Sequence, residues 1–203
     1  MSRVDCRRWW RLFRMRRKRR PAARPMRYKV GREGYSGGQK YPRQIWLNAT
    51  SFAFNLVVMK YPRYPIVTSQ GHYMYEFHSE GPMGNIKKVV VYERIGKNVF
   101  NLGFGDWNEE QQKTSDSARS NNGDRDKVLV TVALTALDFT DRFPEAQIFI
   151  EGSSPSRTRL YQMGIANNLL EINQNFDVKG FYINDWEPFH SGRNYDAFLI
   201  SRK

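Results

Sequence analysis

The chain has 203 residues and a formal net charge of +13, and its single cysteine, Cys6, excludes an internal disulfide and a cysteine-based zinc site. The charge is unevenly distributed, because residues 1–58 carry a net +14 whereas residues 59–203 carry a net −1. The basic composition therefore points to nucleic acid or anionic lipid as a partner of residues 1–58 alone.

Residues 1–58 are predicted to form a basic, disordered leader. Arginine, proline and glycine dominate it, and such a composition buries too little apolar surface to offset the entropy of ordering. Three interpretations remain open, one of which is a genuine extension that has no structure. Trp9 and Trp10 among arginines could bind nucleic acid or an anionic membrane. Alternatively, the gene start is over-extended and the protein begins at Met59, where the composition changes.

The sequence predicts neither a membrane-spanning helix nor a secretory signal. The charge-free run over 44–59 is too short and too polar to span a bilayer, and the basic start lacks an apolar core. We therefore expect a cytoplasmic protein.

Three strands are predicted at the start of residues 59–203. Residues 72–79 alternate aromatic and other side chains with a period of two, and residues 86–95 are rich in β-branched side chains. Turns that contain glycine separate these strands from each other and from a third strand over 99–106. Together they predict an antiparallel meander.

A long polar segment, residues 107–125, follows the third strand. Loops of this length in compact domains are usually functional or disordered. Its carboxylates Glu109 and Glu110 are predicted to be solvated rather than paired for acid–base chemistry. Gly103 and Gly105 favour a bulge or a close backbone approach over a phosphate-binding loop, because no helix follows them directly.

Two helices and three strands are predicted in the rest of the chain. They are a helix over 126–143, a strand over 146–152, a helix over 154–176, and strands over 178–184 and 194–203. The element order is therefore β-β-β-α-β-α-β-β. We expect an α+β fold with two helices packed on a mostly antiparallel sheet.

The start of the second helix is the best candidate for a binding site. Ser153 or Ser154 can cap the helix, and Pro155 suits its first position. Arg157 and Arg159 follow within the first turns, where a positive charge is mildly unfavourable. Either the arginines form ion pairs, or they bind an anion together with the free N–H groups of the helix.

Other kinds of chemistry have little support in the sequence. His72, His78 and His190 lack the spacing of metal ligands, and no G-x-S-x-G motif is present. No metal or cofactor is predicted. The leading hypothesis is a binding module for a partner protein or an anionic ligand, with a face formed by Arg157, Arg159, Tyr161 and the 107–125 segment.

Four motifs resemble a family of small bacterial proteins of unknown function, seen mainly in Bacteroidota. They are the YEF strand at 75–77, the GPMGNIK turn at 81–87, the NLGFGD strand end at 101–106 and the GSSPSRTRLY helix start at 152–161. The resemblance covers residues 59–203 and implies no particular activity.

A second resemblance is to the GCN5-related N-acetyltransferases, in the element order and in the RTRLYQMGI helix at 157–165. It implies coenzyme A as cofactor and Tyr161 as the acid that protonates the coenzyme A thiolate. Residues 118–127 stand where that superfamily binds pyrophosphate, and they contain one glycine among aspartates. An acyltransferase is therefore the alternative hypothesis.

Overall fold

The computed structural model describes residues 61–69, 71–109, 113–115 and 121–203. The predicted leader, residues 1–58, and Glu110 lie outside these ranges. No helix in the described part of the chain is both long and apolar enough to cross a membrane.

The described residues contain nine strands and three helices. The strands are β1 (Val67–Thr68), β2 (Met74–Gly81), β3 (Gly84–Arg94), β4 (Val99–Asn108), β5 (Lys113–Ser115), β6 (Gln147–Ile150), β7 (Phe176–Tyr182), β8 (Asp185–Pro188) and β9 (Ala197–Arg202). The helices are α1 (Arg125–Arg142), α2 (Pro155–Asn167) and α3 (Leu169–Ile172). The predicted α+β fold and element order are confirmed, with short additional strands.

One sheet contains all of these strands, in the order β1-β2-β3-β4-β6-β9-β7-β8, and β5 pairs with β4. Among the described residues, β4 and β6 form the one parallel pair, which extends from Val99 opposite Gln147 to Asn101 opposite Phe149. Helix α1 connects these two strands. As in other parallel crossovers, the connection returns the chain to the same end of the sheet.

The period of two in β2 places its aromatic side chains in the main core. Tyr75 and Phe77 are buried, and Phe77 stacks on Phe104 of β4. The strand begins at Met74 rather than at the predicted His72, whose φ of 57° is left-handed and incompatible with a strand. Tyr73 is consequently 41% exposed and packs on the ring of Phe143.

Helix α1 is buried on several sides, as its wide apolar face predicted. The faces that lack apolar side chains carry three buried threonines. Their hydroxyls donate to backbone carbonyls three or four residues earlier in the helix; the residues are Thr131, Thr135 and Thr140. Burial therefore leaves no threonine hydroxyl in α1 without a hydrogen bond.

The prediction of one long helix over 154–176 is wrong. Helix α2 ends at Asn167, the four-residue α3 follows, and β7 has begun at Phe176. The amide of Asn168 donates to the carbonyl of Gly164 at 2.8 Å. This side-chain bond satisfies a carbonyl at the end of the helix and helps to end it there.

Candidate functional site

The start of α2 packs tightly against the end of β6. The amide of Gly152 donates to the hydroxyl of Thr158 at 3.1 Å, and a Cβ on Gly152 would lie 2.3 Å from the Thr158 nitrogen. Ser154 is the N-cap, and its hydroxyl accepts from the Arg157 amide at 3.4 Å. Glycine at position 152 thus permits close contact between strand and helix.

Two side chains of this helix connect it to the segment between β8 and β9 through three hydrogen bonds. Arg159 donates through Nη1 to the Asn194 side-chain oxygen. Gln162, which is buried, donates to the Arg193 carbonyl at 2.7 Å and accepts from the Tyr195 amide at 3.2 Å. Helix α2 therefore fixes the backbone of residues 193–195.

An open cavity of about 520 Å³ lies beside these contacts. Its wall is formed by one strand residue and a continuous loop; the lining residues are Tyr182, His190, Ser191, Gly192, Arg193 and Asn194. The volume falls in the range of small-molecule sites in proteins. We name this feature the β8–β9 cavity.

Glu187 organises one side of the β8–β9 cavity. Arg193 Nη1 lies 2.6 Å from Glu187 Oε1, and the Tyr195 hydroxyl donates to the same oxygen at 2.8 Å. The Tyr195 hydroxyl in turn accepts from the His190 amide at 3.0 Å. These contacts hold Arg193 and the start of the loop in one arrangement.

The same contacts shift the acid–base properties of the cluster. The hydrogen bond from Tyr195 and the charge of Arg193 hold the pKa of Glu187 below its usual value. The hydrogen bond to Glu187 raises the pKa of Arg193. Burial, followed by the bond to Glu187, raises the pKa of Tyr195. The pair Glu187–Arg193 is therefore fully ionised at neutral pH.

The charged groups near the β8–β9 cavity differ in their partners. Arg193 is neutralised by Glu187, whereas the hydrogen bond of Arg159 is to the neutral amide of Asn194. The loop adds the side chains of His190 and Ser191, both of which can donate a hydrogen bond. The guanidinium group of Arg159 therefore contacts a neutral side chain of the cavity wall.

The predicted site residues lie at different places. Arg159 is exposed and donates to Asn194, which lines the β8–β9 cavity, and Ser154 caps the helix. Ser153 is exposed, and Arg157 is half-buried beside the end of β6. Tyr161 is half-buried and packs against the main core.

The three histidines lie in three different environments. His190 lines the β8–β9 cavity, and His78 is exposed on β2. His72 Nδ1 lies 2.8 Å from the buried carboxylate of Asp138, which also accepts from the Tyr75 hydroxyl at 2.7 Å. Within the described ranges, no group of three or more His, Cys, Asp or Glu residues could hold a metal ion.

Sequence reasoning missed Gln162, Arg193 and Asn194. Gln162 lies within the predicted helix over 154–176, and Asn194 lies at the start of the predicted strand over 194–203, which in the structure begins only at Ala197. Their contacts to the other segment span 31–35 residues, so no local spacing indicates them. The Ser191–Gly192 pair in a loop of mixed polarity is the one signal that marks a turn there.

Two residues of the motifs that carry the family resemblance, Asp106 and Gly81, have structural roles in the meander. Lys88, 4% exposed, forms an ion pair with Asp106. A Cβ on Gly81 would lie 2.0 Å from the Asn122 carbonyl oxygen, and the Asn122 amide donates to Ser79 at 2.9 Å. The contacts of Asn122 join the 121–124 segment to the meander.

Comparison with known proteins identifies a family but no activity. Residues 60–203 match the model of the family DUF6934, which is described as a family of unknown function. No curated protein and no solved structure matches the chain. The expectation that this part of the chain belongs to a family of unknown function is confirmed.

Proposed function

The chain belongs to DUF6934, a family of unknown function, and we propose that it binds a small anionic ligand in the β8–β9 cavity. The observation that carries this proposal is the hydrogen bond from Arg159 to Asn194, a residue that lines a cavity of about 520 Å³. The guanidinium group can bind a phosphate or carboxylate through two parallel hydrogen bonds.

The surroundings of Arg159 support an anion as the ligand. The N-terminus of α2 carries the positive end of the helix dipole, which favours a negative charge nearby. Gln162 and Glu187 hold the loop that presents His190 and Arg193, so the site needs little reorganisation on binding. Preorganised donors beside an excess positive charge are the features of an anion site.

A thermal-shift experiment on the full chain tests the proposal. Inorganic phosphate is the first probe, followed by nucleotides, coenzyme A and sugar phosphates. We expect at least one of them to raise the Tm, because a ligand at 100 times its Kd stabilises by about 2.7 kcal/mol. No shift with any of these anions at millimolar concentration would refute anion binding.

Paired variants locate the site. Arg159→Ala should weaken binding of the effective anion by roughly tenfold or more, since charged hydrogen bonds contribute about 1.5–3 kcal/mol. Arg142→Ala is the matched control, because it removes the same charge from an exposed position in the last turn of α1. Equal binding by Arg159→Ala and Arg142→Ala would place the ligand elsewhere.

An acyltransferase-like activity is the second candidate. It is favoured by the end of α2 at Asn167 and the return of the chain to the sheet at Phe176, as the resemblance to acetyltransferases requires. The ionised Asp124 at the start of α1 disfavours pyrophosphate there. Under this hypothesis acetyl-coenzyme A raises the Tm, and Tyr161→Phe lowers acyl transfer without lowering the affinity for coenzyme A.

A further inference from the structure

The tip of the β7–β8 hairpin has an unusual backbone for its sequence. Ile183 and Asn184 form the two-residue turn, and both have positive φ angles, 42° and 68°. Turns of this type prefer Asn-Gly or similar pairs, because both central residues are left-handed. A β-branched isoleucine in this conformation is an outlier, and such strain is concentrated at functional sites.

The side chain of Ile183 is also exposed, which adds a second unfavourable feature. It is 72% exposed, and the neighbouring Tyr182 is 36% exposed. Trp186, on the second strand of this hairpin, instead packs on Phe149 and Phe181. Neither folding of the hairpin nor burial in the core therefore explains an isoleucine at position 183.

One residue of the exposed apolar pair, Tyr182, lines the β8–β9 cavity, and Ile183 follows it at the hairpin tip. Tyr182 forms part of the cavity wall, and the Arg193 guanidinium lies 4.8 Å from the centre of its ring. A ligand whose anionic group lies near Arg159 and Arg193 would thus extend along Tyr182 towards the hairpin tip. An apolar substituent on such a ligand is the occupant that fits this surface.

We propose that the ligand of the β8–β9 cavity is an alkyl or aryl phosphate, whose apolar group contacts Tyr182 and Ile183. The inference rests on the proposed function, because it assumes that the anionic group binds in the cavity. It adds the chemical class of the ligand and assigns a role to the strained turn. Burial of the apolar group supplies affinity that the phosphate alone does not provide.

Calorimetric titration of the full chain with inorganic phosphate, butyl phosphate and phenyl phosphate tests the proposal. We expect the two organic phosphates to bind at least about tenfold more tightly than inorganic phosphate. The informative variant is Ile183→Gly, because glycine removes the apolar contact and relieves the backbone strain. It should raise the Tm by about 2–4 °C while it abolishes the preference for organic phosphates.

The control is Leu170→Ala, which removes an apolar side chain that is 83% exposed. Leu170 lies on α3, which precedes the first residue of β7, whereas the hairpin tip follows the last residue of that strand. Leu170→Ala should leave all three affinities unchanged. Equal affinity of the parent chain for the three phosphates would overturn this inference and leave anion binding in place. Failure of all three phosphates to bind would overturn both. Retention of the organic-phosphate preference in Ile183→Gly would exclude a role for the hairpin tip.

Discussion

Single residues set the geometry of the candidate site, and Gly152 is the clearest case. Strand β6 and helix α2 approach each other so closely that backbone atoms of Arg157 and Thr158 occupy the space of a side chain at position 152. The approach determines where the first turns of α2, and therefore Arg159, lie relative to the β8–β9 loop. A glycine that looks like part of a simple turn is thus required by packing.

Gly152→Ala should destabilise the protein by about 2 kcal/mol or more, because backbone must move to admit the Cβ. Gly164→Ala is the matched control within α2. There the new Cβ would meet Leu129 at an ordinary 3.5 Å, so we expect a gain of about 0.5–1 kcal/mol. Urea denaturation measures both changes. A neutral Gly152→Ala would show that the strand and helix separate easily.

The ionised state of Glu187 should make stability depend on pH. The hydrogen bond from Tyr195 and the charge of Arg193 lower the pKa of Glu187 in the folded state. Its contribution to the free energy of unfolding is therefore fully present above the unfolded pKa of about 4.3, and it disappears as pH falls through the folded-state pKa. We expect Glu187→Gln to have a lower Tm than the parent at pH 7 and an equal Tm at strongly acidic pH. Tyr195→Phe should reproduce part of this pH dependence. A difference in Tm between Glu187→Gln and the parent that is the same at pH 3 and pH 7 would contradict this prediction.

At the scale of elements, hydrogen bonds between polar groups connect Tyr64, which precedes β1, to Asp124 at the start of α1. Tyr64 stacks on Phe77, and its hydroxyl donates to Asp124 Oδ2 at 2.7 Å and accepts from the Glu80 amide at 3.0 Å. Burial favours the neutral form of Asp124, but hydrogen bonds from Ser79 and Tyr64 outweigh it and lower the pKa. Asp124 therefore stabilises tertiary contacts rather than capping α1 with its side chain.

Tyr64→Phe should lower the free energy of unfolding by about 1–3 kcal/mol, because it leaves Asp124 and the Glu80 amide each short of a partner. Tyr61→Phe removes the same hydroxyl from a residue that is 41% exposed, and should change stability by less than about 0.5 kcal/mol. Equal stability of the two variants would mean that water replaces the Tyr64 hydroxyl at no cost.

Elements whose pattern is local could be predicted from the sequence, and the others could not. Helix α1 begins and ends within one residue of the predicted bounds, because its spacing is helical and Pro144 follows. The predicted second helix is too long because Leu169 and Ile172 continue the helical spacing after the break at Asn168. Strand β8 was not predicted, because its residues lie between the predicted strands over 178–184 and 194–203 and the turn before it lacks glycine.

Only the part of the candidate site that lies on α2 could be predicted from the sequence. Ser154 and Arg159 belong to a helix start that sequence patterns describe well. Arg193 and Asn194 come from a loop that the fold brings to the same end of the sheet, and Gln162 looks like any polar residue of an amphipathic helix. Tertiary contacts between segments that are distant in the sequence create the cavity, and such contacts cannot be predicted from local patterns in a single sequence.

At the scale of the whole molecule, charge and candidate site belong to different parts of the chain. The net +14 lies in residues 1–58, whereas the β8–β9 cavity lies in a segment with a net charge of −1. Anion binding in the cavity therefore depends on a local excess of positive charge around Arg159, and not on the basic character of the protein. The two parts should respond differently to salt and to truncation.

Comparison of the full chain with residues 59–203 tests this separation. We expect the full chain to bind single-stranded RNA with an affinity that falls steeply as salt rises, because arginines release counterions from the phosphates. The 59–203 fragment should lose this binding, retain the Tm of the full chain and bind the cavity anion equally well. Filter binding at several salt concentrations and thermal unfolding provide the measurements. RNA binding by the fragment as tight as that of the full chain would show that the folded part, and not the basic leader, recognises nucleic acid.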